Sequence, residues 1–431
     1  MDKAGSGQSL ICPEERCLFE PGGNLPCARD VSQRRRHVMR FLSSLKLVRA
    51  ALAALLLVSL SMNADSALSK QFLVYFGTYT GTKNKGIYVS RLDTASGELS
   101  APTLAAKCIN PSYIAVDPNH RFLFAVNETD HFNGQASGSV TAFRLDAPTG
   151  KLEFLNQQPS GGMSPCHIAA DSTGKYVLVA NYNSGSVAVF PVQTNGLIGP
   201  PTAVIQHHGS SVNQQRQAVP HAHCIALDAA NHRVFACDLG LDKVMIYRLN
   251  ETNGALTADV NPWVELKPGS GPRHIAFSPD GRHAYVINEL GSTLTTFTYD
   301  PEPGALQEVQ TVSTLPEDFH GKSTCAEVAV HPSGKFVYGS NRGDDSIALF
   351  TVDEQSGRLD FVERQSTRGK IPRCFAIDPT GQYLIAANQD SDSIVVFRIN
   401  AQTGQLTWTG QTVEVGKPVC VAFVPMETAM P

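Results

Sequence analysis

His223, Arg273, Glu289, Glu327, Arg342 and Arg373 stand at fixed offsets from a repeated apolar strand, and side chains of these types can do anion and proton chemistry. A guanidinium holds a carboxylate or phosphate through paired, charge-assisted hydrogen bonds. A histidine beside a carboxylate can take a proton and return it, which is worth roughly 10²–10⁴ in rate. The competing reading is structural: Arg273 and Arg342 would pair with Glu289 and Glu327 across neighbouring units, and His223 would bond backbone. His221 and His223 lie two apart in VPHAHCIALD (219–228), which on a strand puts them on one face. Such a pair could reach a metal, but no third ligand of matching spacing accompanies it, so neither a metal nor another cofactor is expected. The chain also lacks a G-x-S-x-G elbow, a phosphate-binding loop and a dinucleotide fingerprint.

The elements that must position these residues form a repeat. The stretches PSYIAVDP, PCHIAADS, AHCIALDA, PRHIAFSP, CAEVAVHP, PRCFAIDP and PVCVAFVP align on Ala115, Ala169, Ala226, Ala276, Ala329, Ala376 and Ala422. Their spacings of 54, 57, 50, 53, 47 and 46 residues are those of propeller blades. Twelve residues after the first six anchors come Asn127, Asn181, Asp238, Asn288, Asn341 and Asn388, with an apolar, β-rich strand between. Asparagine at such a place favours a turn bonded to its own backbone. A third strand and a weaker fourth follow in each unit. The seventh unit is split: the C-terminal KPVCVAFVP gives one strand, and Phe72 to Leu92 with GELSAPTL gives the rest. The reading is an all-β, seven-bladed β-propeller of four-stranded blades spanning 72–425. A blade shared between the N- and C-terminal strands closes the ring and hides sheet edges.

Antiparallel neighbours reverse, so residues just before each anchor and just after each second strand should gather at one mouth of the central channel. That ring is lopsided. His223, Arg273, Glu289, Glu327, Arg342 and Arg373 fall in four consecutive blades, which a purely structural ring would not require. His167 stands in the same ring, and His221 lies two residues before His223. The longest spacing holds the polar insertion SVNQQRQAV (211–219), expected as a lid over the mouth.

A net charge of −4 with 17% charged residues argues against a general nucleic-acid binder. Residues 1–67 read as an N-terminal extension. Basic residues precede the apolar run Ala50–Leu60, which is short for a membrane span and fits an export signal cleaved near Ala64 or Ala67. Met39 is an alternative start to Met1. An exported, periplasmic or secreted protein with no stable membrane span after cleavage is expected. Five of the seven cysteines after the signal recur at one place in the repeat, which suggests small buried residues rather than a disulfide framework.

VYFGTYT (74–80), SPCHIAADSTGKYVLVANYNSGSV, VPHAHCIALD, GSGPRHIAFSPDGRHAYVINEL and VYGSNRGDDSI resemble the lactonase family of seven-bladed propellers. That family includes bacterial propeller-type 6-phosphogluconolactonases and fungal carboxy-cis,cis-muconate cyclases. The resemblance runs from Phe72 to Pro425 and implies a lactone hydrolase of the 6-phosphogluconolactonase kind. In the cyclase branch a histidine, two arginines and a glutamate are proposed to act. The matching positions are His223 (or His221), Arg273, Glu289 and Arg342. His221, His167, Glu327 and Arg373 complete the expected set as substrate-binding residues. The expected partner is a small anionic lactone or dicarboxylate. A lactonizing cyclase or isomerase, and an exported binding propeller without catalysis, are the alternatives.

Overall fold

The structure, a computed structural model, describes residues 71–426. Seven antiparallel sheets account for nearly all of them. The first strands of blades 1–7 are Ile114–Val116, Pro165–Ala170, Ala222–Leu227, Pro272–Phe277, Thr324–Val330, Pro372–Ile377 and Pro418–Pro425. The second strands are Phe122–Asn127, Tyr176–Asn181, Arg233–Asp238, His283–Asn288, Phe336–Arg342, Tyr383–Asn388 and Gln71–Thr78. Blades 1–6 each add two outer strands in chain order. The one helical element among the described residues is a 3-10 turn, Gln389–Ser391. No helix among them is long and apolar enough to cross a membrane.

Blade 7 joins both ends of the chain. Gln71–Thr78 pairs with Pro418–Pro425, with Phe72 opposite Pro425 and Val74 opposite Phe423. Its outer edge is made of two short pieces, Glu98–Leu99 and Thr103–Lys107, both on Gly86–Asp93.

Second strands are buried along nearly their whole length, as in Tyr176–Asn181, because a blade covers each face. The apolar core is correspondingly divided into clusters between adjacent blades. Leu178 and Ala180 of blade 2 pack with Ile225 and Ala236 of blade 3; Phe235 of blade 3 packs with Val286 and Phe297 of blade 4. Stability thus comes from blade-on-blade contact rather than from one central core.

The residues twelve after the anchors are all buried. Asn181, Asn341 and Asn388 donate from Nδ2 to the carbonyls of Ser160, Thr314 and Thr367, fixing the turn that leaves each second strand. Asn127 donates to Ile109 O at 2.6 Å and is only 3% exposed, so its N-x-T sequence is closed to glycosylation by burial. The seven described cysteines are unbridged, and all but the half-buried Cys108 are buried. The apolar run Ala50–Leu60, the proposed cleavage sites and both candidate starts lie outside the described residues.

Candidate active site

A β-bulge at the start of the first strand decides where the chemistry points. In blade 3, Ala222 pairs with Asp238 and Cys224 with Cys237, which leaves His223 as the extra residue. Arg273 in blade 4 and Arg373 in blade 6 are extra in the same way, between Pro272 and His274 and between Pro372 and Cys374. A bulge re-aims one side chain against the pleat and is common beside functional sites. Residues three and two before the anchor, adjacent in sequence, therefore serve different cavities.

The cavity at the mouth is about 320 Å³, at the small end for ligand pockets. His223, Arg273, Arg342, Glu289 and Arg373 all line it, so five of the eight expected residues converge. Glu128, Tyr182 and Cys166 line it too. Arg216, from the insertion 211–219, completes the wall. Sequence reasoning missed Arg216 as a site residue; its position as the single arginine in the predicted lid was the available signal. Tyr79, of VYFGTYT, was missed as well.

The other three expected residues are elsewhere. His167 and Glu327 line a second cavity of about 460 Å³ together with Tyr113, Cys224 and His274. That cavity reaches Asp228 and Asn231, beyond the far ends of the first strands, so it runs toward the opposite pole. His221 precedes its strand and stacks on Tyr182 with ring centroids 4.4 Å apart. Strict alternation predicted one face for His221 and His223; the bulge at His223 breaks that alternation.

Glu289 is the electrostatic centre of the mouth. Its Oε1 accepts from Arg216 Nη2 at 2.6 Å, and its Oε2 accepts from Arg273 Nη1 and forms an ion pair with Arg342 Nη2 at 2.9 Å. Burial would raise the carboxyl, but the charges of Arg273 and Arg342 and the Arg216 hydrogen bond outweigh it and hold it well below the usual carboxylate range. A carboxylate so saturated is a poor base. Of the competing pairing of Arg273 and Arg342 with Glu289 and Glu327, both arginines pair with Glu289, while Glu327 bonds His274 instead.

His223 is 3% exposed and its Nδ1 has no partner. Burial, then the charges of Arg273, His274, Arg373 and Arg342, push its pKa well below the ordinary imidazole value, so it is neutral with a lone pair at physiological pH. Burial and the neighbouring Arg273 charge lower Arg342 to about 10. Arg373 differs from the other arginines of the mouth: it has no ion pair, and its guanidinium lies 5.3 Å from the centroid of Tyr79. The Tyr79 hydroxyl in turn donates to Glu128 at 2.8 Å. Four guanidiniums thus face two carboxylates, a surplus of two positive charges.

The family model for "Lactonase, 7-bladed beta-propeller" matches residues 73–423. The chain belongs to that lactonase family. A 6-phosphogluconolactonase of Bacillus subtilis is 42% identical to this family member over 354 residues, which is 82% of this chain and 99% of that one. A 6-phosphogluconolactonase of Formosa agariphila is 33% identical, covering 70% of this chain and 86% of that protein. Among solved structures, the periplasmic gluconolactonase PpgL of Pseudomonas aeruginosa is similar, with a TM-score of 0.78 and 38% identity over 83% of this chain and 99% of that one.

Proposed function

We propose that the mouth cavity hydrolyses an anionic sugar lactone. The observation that carries this reading is the convergence of a neutral, buried imidazole and four guanidiniums on one cavity of substrate size. The names of the two curated relatives and the solved neighbour, all sugar lactonases, support it.

The roles follow from which groups are already occupied. Arg373, free of ion pairs, holds the substrate's phosphate or carboxylate. Glu289 acts as a fixed anion that keeps Arg273 and Arg342 in place rather than as a base. Arg342, whose Nη2 is anchored to Cys325 O at 2.9 Å, turns its remaining edge to the carbonyl and stabilises the developing oxyanion. His223 takes a proton from water as its oxygen attacks the ring carbonyl carbon. The bond from that carbon to the ring oxygen then breaks, the freed ring oxygen takes the proton of the new carboxyl group, and the product leaves as a hydroxy-carboxylate. The anionic substrate offsets the arginine field that lowers the His223 pKa, so binding itself makes the base stronger.

The test uses two lactones that differ only in a phosphate. Arg373→Ala should lower kcat/KM for the phosphorylated lactone roughly 10- to 100-fold, the loss of a charge-assisted contact, and leave the neutral lactone within about threefold. His223→Gln should cut kcat at least about 100-fold on both. Equal effects of Arg373→Ala on the two lactones, or an active His223→Gln enzyme, would remove the assignment. Turnover of a muconate dicarboxylate with no lactone hydrolysis would favour the cyclase reading.

Export belongs to the same proposal. It is supported by the apolar run Ala50–Leu60 behind basic residues and by the periplasmic neighbour. Protein recovered from the envelope or medium should begin near Ala64–Ala67.

A further inference from the structure

Lactone hydrolysis at neutral pH consumes one water and releases one proton, because the carboxylic acid formed ionises. With product in the mouth, Glu289 cannot take that proton: three guanidiniums occupy its oxygens. His223, His274 and Glu327 carry three buried polar atoms with no partner: His223 Nδ1, His274 Nε2 and Glu327 Oε2. Buried polar atoms are rarely left so, and three on neighbouring side chains call for a common reason.

The geometry supplies one. His274 Nδ1 donates to Glu327 Oε1 at 2.8 Å, which leaves the lone pair on His274 Nε2. Glu327 Oε1 also accepts from the amide of Val328 at 3.2 Å, so the carboxylate is held in place. The rings of His274 and His223 lie 5.2 Å apart, tilted by 56°. With Nδ1 of His223 enclosed, its Nε2 is the nitrogen left for the mouth. The second cavity, of about 460 Å³, begins at His274 and Glu327 and runs toward the opposite pole.

We propose that His223, His274 and Glu327 form a relay that carries the reaction proton from the mouth through the wall of rings into the channel cavity. This rests on the hydrolytic reading of the mouth. A proton arrives at His223 Nε2 while the one on Nδ1 passes, through one bridging water, to His274 Nε2. The proton on His274 Nδ1 then moves to Glu327 and on to water in the channel. One proton enters and one leaves; each imidazole is left in its other tautomer, and a half-turn of each ring restores the first before the next cycle. His274 touches no reacting atom; it is a positioning and transfer residue. Cys224 lies beside His274, and Cys374 beside Glu327. Arg273, Arg342 and Arg373 face His223 from the mouth, and Tyr182 meets its ring edge-on. His167 and Tyr113 pack on His274 from blades 2 and 1, with centroids at 5.1 and 5.9 Å. The guanidiniums repel a proton resting on His223 and favour its passage toward Glu327, the carboxylate on the far side.

The experiment compares kcat and KM across pH for the full chain and for His274→Gln and Glu327→Gln, which keep side-chain volume. The relay predicts a kcat roughly tenfold lower at pH 7 with KM within about twofold. It also predicts that the deficit shrinks as pH rises, when hydroxide in solvent takes the proton directly. His274→Ala should regain activity in added imidazole, which can enter through the channel. Variants whose kcat–pH curves run parallel to the parent, with no imidazole rescue, would overturn the relay. An active His223→Gln enzyme would instead sink the hydrolytic reading beneath it, so the two failures are distinguishable.

Discussion

At the scale of single residues, the mouth is organised by saturation. Glu289 spends both oxygens on three arginines, and that leaves Arg373 as the guanidinium with capacity for a ligand. The cluster is also a folding commitment. Glu289→Gln would leave Arg273 and Arg342 buried without their counter-charge, and breaking a buried pair in this way costs about 3–5 kcal/mol. The pH dependence follows from the direction of the shift. The folded carboxyl ionises below the ordinary value of 4.5, so its stabilisation is complete above that pH and is lost as pH falls toward the depressed folded value. Denaturant titrations should therefore show Glu289→Gln destabilised at pH 7, with the gap to the parent closing on acidification. A variant as stable as the parent at neutral pH would show that the three arginines do not depend on Glu289.

At the scale of elements, the sequence exposed the register of the repeat but not its local irregularity. Anchor alanines and the Asn or Asp twelve beyond them fix strand, turn and strand in blades 1 to 6, and blade 7 is completed by the strand Gln71–Thr78. Arg273, Arg373 and His223 were legible as mouth residues because they keep one offset. His167 and Glu327, one position further on, reach the other cavity because a bulge separates the two offsets, and nothing in the spacing announces a bulge. Pro272 and Pro372 at the position before it are consistent with a strand start but do not encode which way the next side chain turns. The insertion 211–219 was legible as an addition over the mouth; its anchoring was not. Ser211 Oγ donates to Asp242 and Gln217 Nε2 to Leu239 O at 2.9 Å, so the segment is tied at both ends, with Arg216 reaching Glu289 between them. Arg216→Ala should release the strap: thermolysin should cut faster beside the exposed Val212 and Val219, and kcat/KM should fall about tenfold. Added lactone hydrolysis product should slow cutting in the parent more than in the variant. Equal cutting rates would show that the strap is held by its ends alone.

At the scale of the molecule, the shared seventh blade makes the two ends of the chain interdependent. Phe76 comes from the strand at the start of the described chain, yet it packs in a cluster with Cys374, Ile385 and Ala387 of blade 6. Phe297 occupies a comparable, fully buried place between blades 3 and 4. In an open stack of repeats, an end unit contacts one neighbour and frays first, so a cavity there would split unfolding into two steps. In a closed ring no unit is terminal. Phe76→Ala and Phe297→Ala should then cost similar amounts, about 3–5 kcal/mol each, and both variants should unfold in one transition with the parent's denaturant slope. The mouth draws its groups from blades 1 to 6, so the two substitutions should also release substrate affinity together with fold rather than before it. An early transition confined to Phe76→Ala, visible by far-UV dichroism while activity persists, would mean that blade 7 can open without disturbing the site and that the ring is only nominally closed.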